Sequence, residues 1–397
     1  MTRLIEFLIA LALVLALFLV VGLILPSKRH LVESVETNRR MTIVFDTLNS
    51  VRRMKDWNQL IPSKPSELTY SGGDEGHTGV GARVDFASAD KRMGKGSWTI
   101  TESQMPDGAG AGGKLSYEIV DNTHGDGKKT SFVLTPAGKN GRNVKITQSY
   151  DVHYGWNLIN RFHGMYVSRQ VGDVMKSSLS KLTNLLATVP NFDYRVEGSK
   201  LTGLRIADVP AEDLLVVTAG NIERNNDVIK ASIKANQEWI KRVMESNGLE
   251  AAGPVRIITT DFGAEKYAFD VAQPVRKRSG AAAAKPAEGD KAKPAEGDQA
   301  KPEAAVPAPI ATAYTGPLKV SVSGTPVKYE HHDAHKAASA SYTGYMAELD
   351  AVRSSLRAWA MTNGYEVTDR PYEWWKGGVD QAFTADGTFD VYWAIKQ

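Results

Sequence analysis

The sequence predicts an α+β chain with three parts. These are one N-terminal membrane-crossing helix, a curved antiparallel sheet closed by a long helix, and a strand–helix–strand–strand unit that occurs twice. Three observations predict it. From Phe7 to Leu25 the chain runs 19 residues without a charge, interrupted only by Gly22. Between 82 and 152, alternating apolar stretches are separated by Gly- and Asp-rich turns and then followed by a helical pattern. Asn-Gly closes a helical pattern twice, at Asn247-Gly248 and Asn363-Gly364, with Pro254 and Pro371 following at matching distances.

At about 1.5 Å of rise per residue, the first run nearly spans a hydrocarbon core of about 30 Å. A cleaved signal sequence would have an apolar region of about 7–15 residues ending at a small-residue site. Here Leu25 leads into Pro26-Ser27-Lys28-Arg29, so an uncleaved single-pass anchor over 4–25 is expected. Arg3 precedes it and Lys28, Arg29, Arg39 and Arg40 follow, which favours a cytoplasmic globular part. The two positive charges of the short N-terminal tail leave the opposite side open.

Residues 31–190 read as one α+β domain. Strands are expected at Ala82–Phe86, Ser97–Glu102, Lys114–Val120, Thr130–Thr135 and Asn143–Val152, and one long helix from Leu158 to Ala187. Residues 205–397 hold the repeated unit. Its first copy has a strand at Leu214–Thr218, a helix at Asn226–Ser246 with Ile229, Ile233, Ile240 and Met244 inward, and strands at Val255–Thr260 and Lys266–Val271. Its second has a strand at Ala337–Tyr342, a helix at Met346–Thr362, and strands at Tyr372–Trp375 and Thr388–Lys396. Between the copies, 276–310 carries Lys-Pro-Ala-Glu-Gly-Asp twice and no aromatic residue. So little apolar surface cannot offset ordering entropy, and a disordered linker is expected.

Composition narrows the function. The 48 Lys and Arg nearly balance 45 Asp and Glu, without the basic excess of a dedicated nucleic-acid binder, so no nucleic-acid partner is expected. The absence of cysteine removes disulfides, thiolate metal sites and cysteine nucleophiles. No Gly-x-Ser-x-Gly, phosphate loop or His-Glu-x-x-His occurs, so no cofactor is expected. His331-His332-Asp333-Ala334-His335 would place two histidines on one metal only if helical, which its surroundings do not support. A solvated loop and no metal are expected there.

Glu373 stands among Tyr372, Trp374 and Trp375 on a strand, and a carboxylate beside aromatic faces can hold a cationic or amphipathic molecule. Alternation puts Glu373 with Trp375 on one face. Tyr342, Tyr345 and Trp393 are further candidates, each equally readable as core. In the first domain Trp57, Trp98, Tyr117, Phe132, Tyr150 and Phe162 could line a cavity or fill a core.

Two family resemblances join these readings. Ile43-Val44-Phe45-Asp46, Trp57-Asn58, Gly94-Lys95-Gly96-Ser97-Trp98-Thr99-Ile100-Thr101-Glu102, Tyr154-Gly155-Trp156-Asn157 and Val171-Gly172-Asp173 carry the first. On these, 31–190 resembles the polyketide cyclase/dehydrase and lipid-transport family, the START-like helix-grip (SRPBCC) fold, which implies an apolar cavity between sheet and helix. Ser341-Tyr342-Thr343-Gly344-Tyr345, Asn363-Gly364-Tyr365, Arg370-Pro371-Tyr372-Glu373-Trp374 and Phe389-Asp390-Val391-Tyr392-Trp393 carry the second. On these, 205–397 resembles the GyrI-like effector-binding domain of bacterial transcription activators. That resemblance implies a ligand in the groove between repeats, faced by Glu373, with Arg256 at the matching place of the first repeat. The expected function is a small-molecule-binding protein of a bacterial inner membrane that senses, sequesters or handles hydrophobic or amphipathic compounds, cations included. The rival expectation is a hydrolase or cyclase using Glu373 as general base.

Overall fold

A 23-residue helix, α1 (Thr2–Ile24), opens the chain and is long and apolar enough to cross a membrane. The computed structural model describes residues 2–90, 93–107, 111–195, 201–278 and 316–396. It is α+β with two antiparallel sheets, divided into two compact units: Met1–Ser199 with Arg357–Glu366, and Lys200–Leu356 with Val367–Gln397.

The first unit continues with β1 (Lys28–Thr37), α2 (Met41–Asn49), α3 (Met54–Trp57), β2 (Leu68–Ser71), β3 (Arg83–Ala87), β4 (Lys95–Gln104) and β5 (Gly113–Asp121). It ends with β6 (Asp126–Ala137), β7 (Asn143–His153), α4 (Leu158–His163) and α5 (Asp173–Thr188). Its strands order as β1-β7-β6-β5-β4-β3-β2, every neighbour antiparallel. Met175, Leu179, Leu182 and Leu186 of α5 are buried, and the helix packs against β1, α2 and α3. One expectation is corrected. The single helix from Leu158 breaks after His163 and resumes through a wide turn at Ser168–Gly172. A Cβ on Gly164 would sit 2.5 Å from the Tyr154 ring, so the chain turns there beneath that ring. Lys28–Thr37, for which no element is expected from the sequence, is an edge strand whose residues mostly alternate between exposed and partly covered.

The second unit contains β8 (Leu201–Val209), β9 (Glu212–Glu223), α6 (Asn226–Ser246), β10 (Leu249–Ala251), β11 (Arg256–Phe262) and β12 (Lys266–Lys277). After residues 279–315 come β13 (Lys328–His332), β14 (His335–Thr343), α7 (Leu349–Thr362), β15 (Tyr372–Trp375), α8 (Gly378–Ala382) and β16 (Thr388–Ala394). The Asn225 side chain accepts from the Asp227 and Val228 amides to start α6. Gly248 (φ 64°) and Gly364 (φ 83°) take the left-handed conformation that ends α6 and α7. Val243 rather than Met244 completes the buried stripe of α6. The expected linker begins later than 276, because β12 runs to Lys277; from 279 it lies outside the described residues.

The strands order as β13-β9-β12-β11-β15-β16-β14-β8, with β10 on β12. This order forces the sheet to roll. β8 and β9 stand six strand spacings apart along it, about 29 Å if the sheet were flat. Yet only Pro210 and Ala211 join them, a reach of about 11 Å. The concave side so formed buries Val209, Leu214, Val216, Ile258, Ala272, Ala337, Tyr372 and Tyr392 as one cluster.

Candidate functional site

β15 lies at the centre of the rolled sheet between β11 and β16, and its alternation sends side chains to opposite sides. Glu373 and Trp375 face α7. Glu373 is fully buried, and Arg353 Nε of α7 donates to its Oε1 at 2.5 Å. Arg353 Nη2 reaches the Tyr267 hydroxyl at 3.4 Å, which also meets Thr259 Oγ1 at 2.9 Å. Burial alone would lower the Arg353 guanidinium, but the Glu373 carboxylate outweighs it and holds it above its ordinary value. Burial likewise pushes the Tyr267 hydroxyl up to about 12.

Around this pair the aromatics are close-packed. Trp375 meets Phe389 edge to face at 5.6 Å, and Tyr342 stacks on the other side of the cluster, 5.8 Å from Phe389. The Tyr342 hydroxyl donates to Glu348 Oε2 at 2.5 Å. Phe389 thus brings Trp375 and Tyr342 together. The Tyr342 hydroxyl also lies 3.3 Å from the Tyr345 carbonyl, the Tyr345 hydroxyl accepts from the Asn226 amide, and Trp393 donates to the Asp369 carbonyl at 3.2 Å. Arg353 thus already balances the charge of Glu373, where a cationic ligand was expected.

The register also corrects the role expected for Arg256. Opposite Glu373 across β11 lies Ile257, whereas Arg256 pairs with Trp374 and shares the concave side with Tyr372 and Trp374. There Arg256, 1% exposed, donates to both oxygens of Glu212 at 2.8 Å. Its guanidinium lies 4.1 Å from the Tyr372 ring centre and 5.7 Å from that of Trp374. Tyr392 stacks on Tyr372 at 5.1 Å and 13°, and meets Trp374 at 5.1 Å and 48°. Arg256 Nε, the Tyr372 hydroxyl and Trp374 Nε1 are buried and find no hydrogen-bond partner among the described residues. Trp374 is only partly buried, so this side reaches the surface. Alternation showed that residues 372 and 374 share a face. That Arg256 joins them depends on a register between strands more than 100 residues apart in sequence.

His331 belongs to β13 instead of a loop, and its Nδ1 lies 3.1 Å from Asp213 Oδ1. In the first unit Trp57, Trp98, Tyr117 and Phe132 are at most 1% exposed. They pack edge to face on one another at 5.7 to 6.0 Å, and so occupy the space between sheet and helices as core. Tyr150 is buried with them in the unit's core, while Phe162 stacks on Phe18 of α1.

No protein-family model matches the chain, and no curated protein matches it in sequence. Solved structures match parts of it in shape. A truncated norcoclaurine synthase from Thalictrum flavum is 12% identical, covering 41% of this chain and 94% of its own, with a TM-score of 0.31. The C-terminal domain of EcmrR is 12% identical, covering 49% of this chain and 98% of its own, with a TM-score of 0.31. EcmrR in a DNA complex is 13% identical, covering 66% and 88%, with a TM-score of 0.34. Likenesses at these scores leave the functional reading to the residues themselves.

Proposed function

We propose that this chain is a membrane-anchored protein that binds a flat, amphipathic small molecule on the concave side of its second unit. One observation carries the reading: Arg256 Nε, the Tyr372 hydroxyl and Trp374 Nε1 are buried without partners among the described residues, beside the stacked Tyr372 and Tyr392 rings and the tilted Trp374 ring. A buried polar group left unpaired costs about 1–3 kcal/mol, so three on one patch call for something that accepts from them. Two of the three are N–H groups that can only donate. A ligand bearing carbonyl, phenolic or carboxylate oxygens on an aromatic plate supplies the acceptors and stacks on the rings. With Glu212 offsetting Arg256, the ligand is neutral or singly anionic.

The remaining parts fit this reading. α1 serves as the single-pass anchor. The strand orders β9-β12-β11 and β15-β16-β14 run in mirrored sequence about the sheet centre, which supports a duplicated strand–helix–strand–strand unit. The sheet and α5 of the first unit support a helix-grip domain. Against the rival hydrolase or cyclase stands the Arg353 pair, which engages one oxygen of a fully buried Glu373.

The test is mass spectrometry of organic-solvent extracts from the full chain purified in mild detergent, beside the Trp374→Ala variant. An aromatic, oxygen-bearing compound enriched with the parent and lost from the variant is expected. Recovery of the same compounds from both would sink the reading.

A further inference from the structure

The contact between α1 and α4 has geometric consequences for the first unit. Phe162 of α4 stacks on Phe18 of α1, with ring centres 4.5 Å apart and planes at 11°. Gly22 permits the approach, because a Cβ there would come within 3.1 Å of Leu158 Cβ. Arg161, buried between the two helices, points Nη1 at the last carbonyls of α1: Leu23 at 3.1 Å, Leu25 at 3.3 Å and Gly22 at 3.4 Å. Those carbonyls have no intrahelical donor, and an apolar surrounding would leave them unpaired. The guanidinium satisfies them and opposes the negative end of the helix dipole.

The connection to the body is short. Only Leu25, Pro26 and Ser27 separate α1 from β1, and the Ser27 carbonyl accepts from the Tyr154 amide at 2.8 Å. The first unit therefore cannot drift away from the end of α1. Phe18 lies six residues inside that end, about 9 Å along the axis. If α1 crosses a bilayer, the ring stacked on Phe18 reaches about as deep as the 5–10 Å at which interfacial helices sit. Around it Trp156 (83%), Ile159 (60%), Met165 (50%) and Tyr166 (59%) stand exposed. Trp and Tyr favour the headgroup level and Ile and Met the acyl boundary.

We propose that the segment 156–166 is a second membrane contact, lying in the interface of the leaflet beside the end of α1 and seating the first unit on the lipid surface. This rests on the reading of α1 as a membrane anchor. The occupant is the bilayer: the patch is continuous with a helix whose own apolar side chains are exposed along its length.

The chain has no cysteine, so single labels can be placed on the full protein. Ile159→Cys, Met165→Cys, Leu15→Cys in α1 and Lys145→Cys at the far end of β7 would each carry an environment-sensitive fluorophore. Each labelled protein goes into vesicles of phosphatidylcholine and phosphatidylglycerol, with and without lipids bearing a nitroxide near the headgroup or deep in the acyl chain, the deep nitroxide reading Leu15. Quenching and a blue shift at Leu15, Ile159 and Met165, with neither at Lys145, is the expected result. Quenching at Leu15 with water-exposed, unquenched labels at Ile159 and Met165 overturns the second contact and leaves the anchor standing. So does a blue shift at Ile159 without quenching by the lipid nitroxide, which would assign the patch to another protein surface. Loss of quenching at Leu15 as well overturns the anchor and the second contact together.

Discussion

Arg256 lies directly across the central strand pair from Trp374, with its guanidinium 5.7 Å from the indole ring centre. That register places a buried cation, its Glu212 partner and three neighbouring aromatic rings on the concave side of the sheet. Glu373, one residue along, points the other way into an ion pair with α7. The two sides therefore do different work. One joins sheet to helix through the Arg353–Glu373 pair, and the other sets Arg256 against aromatic rings; among the described residues both keep buried donors without partners, Arg353 Nη1 and Trp375 Nε1 on the first and Arg256 Nε, the Tyr372 hydroxyl and Trp374 Nε1 on the second.

The Arg256–Glu212 pair makes the concave side sensitive to single substitutions. Glu212→Ala leaves a buried guanidinium unpaired and should destabilise the protein by about 3 kcal/mol. Arg256→Met with Glu212→Leu should recover most of that, because apolar pairs of similar volume replace buried ion pairs with little loss. Denaturant unfolding followed by tryptophan fluorescence measures both; equal losses in the single and double variants would contradict the account.

On the helix-facing side, Arg353→Met strands the fully buried Glu373 carboxylate and should cost about 3–5 kcal/mol. Adding Glu373→Gln should restore a large part by removing the uncompensated charge. The same unfolding measurement decides it, and an Arg353→Met variant as stable as the parent would show the pair to be dispensable.

Tyr267 links stability to alkaline pH. Burial raises its hydroxyl to about 12 against an opposing pull from Arg353, while the unfolded chain titrates near an ordinary 10. Below pH 10 both states hold the proton and nothing is lost. Between 10 and about 12 the unfolded state ionises first, so stability falls with rising pH, by about 3 kcal/mol in all. Tyr267→Phe should flatten that part of the profile, visible as denaturant midpoints that change less between pH 10 and pH 12.

Much of this was legible locally. The bounds of α6 and β15 follow from the Asn225 cap, the Asn-Gly stops and the alternation at Tyr372–Trp375. Faces within a strand follow from alternation as well, which is why Glu373 and Trp375 stood together. What the residues could not reveal depends on long-range pairing. Arg256 matches Glu373 when counted from Pro254 and Pro371, but the register puts Ile257 opposite Glu373, and a slip of one residue changes the face. The roll of the sheet hangs on β8, whose Leu-Thr-Gly-Leu-Arg-Ile lacks a clean alternation. Arg353 sat inside a helix pattern with no local sign that it faces inward to a carboxylate.

Gly22 should be intolerant of bulk. Gly22→Leu drives a side chain into Leu158 and Phe162 and should destabilise the first unit by about 1–3 kcal/mol, as overpacking does. Cysteines placed at Phe18 and Phe162 should join readily through a short bifunctional thiol reagent in the Gly22 background and poorly in Gly22→Leu. Equal yields would show that the helices do not depend on this approach.

The central claim is that the concave side, and not Glu373, receives the ligand. Calorimetric titration of 2-naphthoate, a flat aromatic carboxylate, into the full chain in lipid nanodiscs tests it most directly. Binding should weaken at least about tenfold in Trp374→Ala, a loss of about 1.4 kcal/mol, and persist in Glu373→Gln. Binding abolished in Glu373→Gln but unchanged in Trp374→Ala, or no binding by the parent protein, would contradict the account.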